Sequence, residues 1–200
     1  MKTSFKNLIV ATLTIVALTS SIFVVAASAG ERKPTSEVTA PTNFRRVSVK
    51  GNVEITLIQR QTEGVSYADD NAGKAKITQE GNLLKIASAD KDLVKLVVYV
   101  NDLFRIEASE NAIVKTSGKI NSKFLQVFLK GSASADINSN TEGLYTVIEE
   151  NADLKLSGAT DNHTLVMSST PKLTFNRFAA LQTNVNSSAA IITETAALIK

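Results

Sequence analysis

Apolar and polar positions along this chain follow two periods, one nested in the other. The shorter is two residues. Phe44, Val47 and Val49 stand among Arg45, Arg46, Ser48 and Lys50, and Val53, Ile55 and Leu57 alternate with Glu54, Thr56 and Ile58. Such alternation predicts strands with one buried face. The longer period runs from Ile113 to Ile192, where one unit is written about four times. Its opening recurs as Asn111-Ala112-Ile113-Val114, Ser134-Ala135-Asp136-Ile137 and Asn151-Ala152-Asp153-Leu154, and more loosely at Thr170-Pro171-Lys172-Leu173 and Ser188-Ala189-Ala190-Ile191. A second apolar strand follows each opening: Phe124 to Val127, Leu144 to Val147, Thr164 to Met167 and Phe178 to Leu181. The units recur roughly every 17 to 23 residues, the length of one turn of a solenoid.

This nesting predicts an all-β, β-helix-like solenoid with coils of about 20 residues, whose inward positions stack in columns along one apolar interior. Gly118, Gly131, Gly143 and Gly158 fall between strands, where positive φ or close backbone approach is expected. Asn and Ser beside them suit corners. The outward positions read as Ser, Thr, Lys, Asn and Asp, a hydrated surface with no apolar patch.

Earlier in the chain, Gly51-Asn52 predicts a hairpin or a tight corner. Val65-Ser66-Tyr67 is a short strand, and Ala68 to Gly73 a loop. Lys76-Ile77-Thr78 and Leu83 to Ile86 flank a turn at Glu80-Gly81-Asn82. Leu96 to Val100 is a nearly continuous apolar strand, Asn101-Asp102 turns the chain, and Leu103 to Ala108 opens the first full coil. No stretch carries a sustained helical period with caps; Ala189 to Lys200 reads as a last strand or a short helix. Exposed terminal coils adhere unless covered, and Phe44 to Leu57 and Ala189 to Lys200 are the expected covers.

The first residues have the three-part layout of an export signal. Lys2 and Lys6 precede an uncharged stretch, Leu8 to Ala27, which ends at Ala27-Ser28-Ala29 before the polar Gly30-Glu31-Arg32-Lys33. The stretch is about long enough to cross a bilayer. Thr12, Thr14, Thr19, Ser20 and Ser21 dilute it, however, and the small-residue site favours cleavage after Ala29. The expected organisation is a signal peptide over 1–29, a flexible leader over 30–42, the β domain over 43–193 and a tail over 194–200. With cysteine absent from the sequence, disulfides, thiolate metal sites and a lipid-modified cysteine are excluded.

Composition narrows the functions. Aromatics make up 6% of the chain and Trp is absent, so the core rests on Val, Ile, Leu and Ala. The 22 basic residues nearly balance 19 acidic ones, and Lys2 and Lys6 lie in the predicted signal. That balance gives no electrostatic case for nucleic acid or an anionic membrane.

Phe44 to Leu57 resembles the opening of the putative auto-transporter adhesin head domains, the head GIN family. So do Gly81-Asn82-Leu83-Leu84-Lys85-Ile86, the strand Leu96 to Val100 and the small-residue/Ile repeat from Ala112 on. The resemblance spans roughly 44–192. It implies an exported bacterial protein with a β-helix-like fold and no established activity. Family repeats usually carry Gly-Ser at each corner; here only Gly131-Ser132 does, and Ser109-Glu110 and Glu149-Glu150 stand where the others are expected.

Candidate chemistry is sparse. His163 is the only histidine; a triad or a cysteine-free zinc site needs partners for it, and it reads as a partly exposed histidine at a strand entry. Glu149 and Glu150, adjacent on a strand, would point to opposite faces and not flank one glycosidic bond. Asp69-Asp70-Asn71 with Gly73 lacks the spacing of a calcium loop, and Asp136-x-Asn138 is weaker still. Arg45, Arg46 and Lys50 form a small basic group without interleaved aromatics. No catalytic, cofactor-binding or metal-binding residue is therefore assigned, and no cofactor.

The expectation is a non-enzymatic exported module of the periplasm or cell surface. Its partner would be an envelope glycan or protein, met through outward Thr, Asn and Lys. No nucleic acid and no stable membrane anchor after signal cleavage are expected. The alternatives are a polysaccharide-processing enzyme on a β-helix scaffold and a self-associating structural protein of the envelope.

Overall fold

A computed structural model describes residues 41–68, 72–168 and 171–187. The chain divides into Met1–Pro34 and Thr35–Lys200, and every described residue belongs to the second unit. The predicted signal, most of the leader, the Asp69-Asp70-Asn71 cluster and the C-terminal tail lie outside the described residues.

The described chain is all-β. Its strands are β1 (Arg46–Gly51), β2 (Val53–Gln59), β3 (Gly64–Tyr67), β4 (Lys76–Glu80), β5 (Leu83–Ser88) and β6 (Val94–Val100), then β7 (Arg105–Ser109), β8 (Ile113–Thr116), β9 (Ile120–Leu129), β10 (Ser134–Ile148), β11 (Asp153–Met167) and β12 (Lys172–Ser187). All belong to one hydrogen-bonded network. One path runs β3-β6-β2-β8-β10-β9-β7-β1-β5-β4, and β11 and β12 follow from the other edge of β10. β10 is long enough to serve two arms. Its first residues pair with β8, and the stretch from Ser139 to Ile148 pairs with β9. The sheet curls into an open half-barrel, and inward side chains of both arms meet in a single apolar core.

Strands about twenty residues apart lie side by side. Ser134 pairs with Asp153 and Asp153 with Lys172, Ile120 pairs with Ser139, and Arg105 with Gln126, all in parallel. Period-two alternation then places like residues in rows. Val114, Ala135, Leu154 and Leu173 form one, and Ile137, Leu156 and Phe175 the next. Val114, Ile137 and Leu154 are fully buried in the same core, as the sequence period requires.

The repeated corner has a physical basis. Backbone bonds from Ala112 N to Ser109 O, Ala133 N to Lys130 O and Ala152 N to Glu149 O close three four-residue turns. Their second residues, Glu110, Gly131 and Glu150, all have φ between 60° and 75°. Ala112, Ala133 and Ala152 are fully buried behind them, where a larger side chain would separate the strands. At Gly158, φ is 97° and a Cβ would stand 2.0 Å from the Ser139 carbonyl oxygen, so only glycine fits.

Four expectations are corrected. Stacking does not follow chain order: β1 lies between β5 and β7, and β2 between β6 and β8. Phe44 to Leu57 therefore sits inside the stack and covers no end; antiparallel β3 and β4 lie there instead. Glu149 and Glu150 are not adjacent on a strand: they follow the end of β10 and form the corner that the repeat places there, with Glu150 at positive φ. The surface also carries the exposed apolar residues Phe124, Phe175, Leu181 and Val185. Of the two readings for Gly51-Asn52, the corner holds: β1 and β2 do not pair, and a Cβ on Gly51 would meet the Ser88 carbonyl oxygen at 2.0 Å.

Candidate functional site

The outer surface of β7, β9 and β10 brings aromatic and charged groups together. Parallel register builds it in two rows. Arg105, Gln126 and Tyr145 are in line, and beside them Glu107, Phe128 and Val147. The Arg105 guanidinium stands 4.8 Å over the Phe128 ring. Its Nε donates to Gln126 Oε1 at 2.8 Å, and one terminal nitrogen donates to Glu107 Oε1 at 3.3 Å. Both ends of Arg105 are thereby fixed over the ring, a cation–π arrangement. Phe128 and Tyr145 pack with ring centres 5.8 Å apart, tilted by 52°.

Glu107, Phe128, Tyr145 and Val147 line a shallow depression of about 430 Å³ that extends to Lys130 and Glu149, with Arg105 held at its margin over the Phe128 ring. Its floor is apolar, and its rim offers a cation, carboxylates and a phenol. That combination suits a ligand with one flat apolar face and hydroxyl or charged edges. This face is not the surface of outward Thr, Asn and Lys expected from the sequence. The available signal was Phe128 and Tyr145 in a chain poor in aromatics, but both sit in nearly continuous apolar runs where alternation does not separate the two faces.

The flagged residues fall elsewhere and do not converge. His163 is fully buried, which corrects its expected place at a partly exposed edge. Its Nε2 lies 2.9 Å from the Thr146 hydroxyl, and the Phe178 ring meets it edge-on at 5.4 Å. Burial pushes the imidazole pKa below its ordinary value, so the ring is neutral at neutral pH. Asp136 stands in a row between Lys115 and Lys155 on the outer face, and alternating charge accounts for it there. Arg45 reaches Asp102 at 2.9 Å and Lys50 reaches Glu110 at 3.2 Å; both are exposed pairs worth little individually. Among the described residues, no group of three or more His, Asp or Glu is placed to hold a metal ion.

The fold defines an all-β protein of parallel strands in register at intervals of about twenty residues, with its distinctive chemistry on one outer face. The chain belongs to the putative auto-transporter adhesin, head GIN domain family, whose model matches residues 43–197. Similar solved structures include a putative adhesin from Parabacteroides merdae, at TM-score 0.58 and 13% identity over 76% of each chain. Another is a putative lipid binding protein from Parabacteroides distasonis, at TM-score 0.57 and 10% identity over 76% of this chain and 77% of that one. A putative adhesin from P. distasonis matches at TM-score 0.54 and 14% identity, over 76% and 77%. At these identities the likeness is one of fold. No curated protein matches this chain.

Proposed function

We propose that this chain is a non-enzymatic, adhesion-type binding module of the bacterial cell envelope, exported by residues 1–29. Its stacked strands form a β-helix-like solenoid whose outer face over β7, β9 and β10 contacts an envelope glycan. Family membership supports the adhesion class. The aromatic depression with Arg105 fixed over Phe128 is the observation that carries the site. Sugar rings present an apolar face to aromatic side chains and hydroxyls to the surrounding charged groups, and both requirements are met within one depression.

The test is a glycan array of bacterial envelope polysaccharides, probed with the unaltered chain and with Phe128→Ala and Tyr145→Ala. Both side chains point away from the core, so folding should survive. Each variant should lose about tenfold in affinity for whichever glycan the unaltered chain binds. Unchanged affinity in both would remove this face as the site. Absence of glycan binding, with capture of an envelope protein that both variants lose, would keep the face and replace the ligand class.

A further inference from the structure

We infer that β12 is a self-complementary edge through which two copies of this chain pair antiparallel about a two-fold axis at Ala179. Among the described residues β12 pairs only with β11, which leaves one side of a sixteen-residue strand open. The register with β11 shows which of its side chains point inward. Leu173, Phe175, Phe178, Ala180, Thr183 and Val185 stand opposite Leu154, Leu156, Gly158, Thr160, His163 and Leu165. They continue the core, yet Phe175 is 51% and Val185 60% exposed. Nothing in the described chain covers them.

The inward set maps onto itself when the strand is reversed about Ala179. Phe178 exchanges with Ala180, Phe175 with Thr183 and Leu173 with Val185. In antiparallel pairing, directly opposite residues point to the same side of the sheet. Every inward residue of one copy would therefore face an inward residue of the other, a large one against a smaller one each time. The bends match as well. Two residues on one side of Ala179 is Arg177, the positive-φ bulge residue where the register with β11 shifts. Two residues on the other side is Leu181, where pairing skips a residue between Ala180 and Gln182 and the side chain is 85% exposed. The inward phase changes between Phe175 and Phe178 at a bulge, and between Ala180 and Thr183 at a bend that leaves the register with β11 unchanged, and reversal exchanges these two places.

Charge agrees. Lys172 and Arg177 are the only charged residues of β12. Reversal sets them opposite Asn186 and Leu181, so no like charges meet. Such an isologous interface closes after two copies and leaves no edge for further growth.

The chain contains no cysteine, which makes the axis directly testable in the full chain. Opposite Cα atoms in an antiparallel pair are about 4.5–5.5 Å apart, within disulfide reach. Ala179→Cys, an exposed and conservative change, should give a covalent dimer on oxidation. Thr174→Cys and Asn184→Cys should each fail alone and succeed when combined in one chain, because reversal places 174 opposite 184. Sedimentation should show a reversible dimer. Thr174→Glu with Asn184→Glu should weaken it about tenfold by opposing two carboxylate pairs, and Thr174→Lys with Asn184→Glu should preserve it. A chain that stays monomeric overturns the inference. If the Ala179→Cys thiol of that monomer were also shielded from a maleimide, the edge would belong to residues 188–200. A dimer that Ala179→Cys does not cross-link overturns it too, since pairing would lie elsewhere.

Discussion

The two ends of the parallel ladder are finished in opposite ways. At one, the strand direction reverses. β4 runs antiparallel to β5 and β3 antiparallel to β6. β4 is five residues long and mostly exposed, with Lys85 bonded to its Glu80 at 2.6 Å. β3 closes inward: Val65 and Tyr67 are buried, and the Tyr67 hydroxyl donates to the Ala75 carbonyl at 3.2 Å. A short charged edge and an inward-closing one resist further pairing. At the other end, β12 continues the parallel ladder without reversal and exposes Phe175, Leu181 and Val185. Among the described residues, the same inward periodicity thus ends in short antiparallel strands at one margin and in a strand with exposed apolar inward residues at the other.

This contrast is most sharply broken by placing one charge at each kind of inward position. Ile137 is fully buried in the middle of the ladder, and Val185 occupies an inward position on its open strand. Ile137→Asp should cost roughly 4 kcal/mol or more, because a carboxylate there has neither water nor a partner. At concentrations too low for association, Val185→Asp should cost less than about 0.5 kcal/mol. Urea unfolding of both variants checks the pair. Equal losses would mean that β12 is as buried as the centre and that the two ends do not differ.

A smaller effect comes from His163, a buried polar residue that meets β12, with the Phe175 and Phe178 rings against it. Burial lowers its pKa in the folded chain. The unfolded chain therefore binds the proton first as pH falls below about 6.5. The contribution of the neutral ring is intact above that value and is lost as pH drops toward the folded pKa, with a slope of at most about 1.4 kcal/mol per pH unit. This is the only histidine in the sequence. Unfolding free energies between pH 5 and 7 should fall with acid in the unaltered chain and stay flat in His163→Leu. A flat profile in both would place His163 in water in solution and the open end closer to it than the fold shows.

How much of this could be read beforehand depends on the range of the interaction. The twenty-residue period and the corners are local features, and they carried through to the parallel register and to Gly118, Gly131 and Gly158 at positive φ. Even the displaced corner glycines were legible, since Glu110 and Glu150 occupy the expected places. Chain order along the stack was not, because nothing in β1 or β2 states that β5 and β6 will add on their far side. His163 was misread for a definable reason. Leu154 and Leu156 face inward at even positions, but pairing skips Asp161 at the bend, and beyond it His163 and Leu165 face inward at odd ones. A bend that changes the phase of alternation without interrupting the strand leaves no mark in composition. The Phe128 and Tyr145 face was hidden similarly, by apolar residues on both sides of the same strands.

The smallest effect sharpens the contrast by sampling one corner at two distances from the open end. Glu110 joins β7 to β8 in the interior of the ladder, and Glu150 joins β10 to β11, nearer β12. Both hold a φ near 60° that side chains other than glycine resist. Replacing either by Gly should stabilise the chain by about 1 kcal/mol, reduced slightly by loss of the exposed pairs with Lys50 and Lys130. Thermal unfolding reads the gain. Relief of backbone strain reports in full only if the corner unfolds together with the whole domain. Equal gains at the two sites would show that β10 and β11 belong to the same cooperative unit as the sealed end, so that the open edge is an ordered surface ready for pairing. A gain at Glu110 with none at Glu150 would show that the ladder frays from β12 inward, and an edge that frays cannot present the fixed register on which two copies would match.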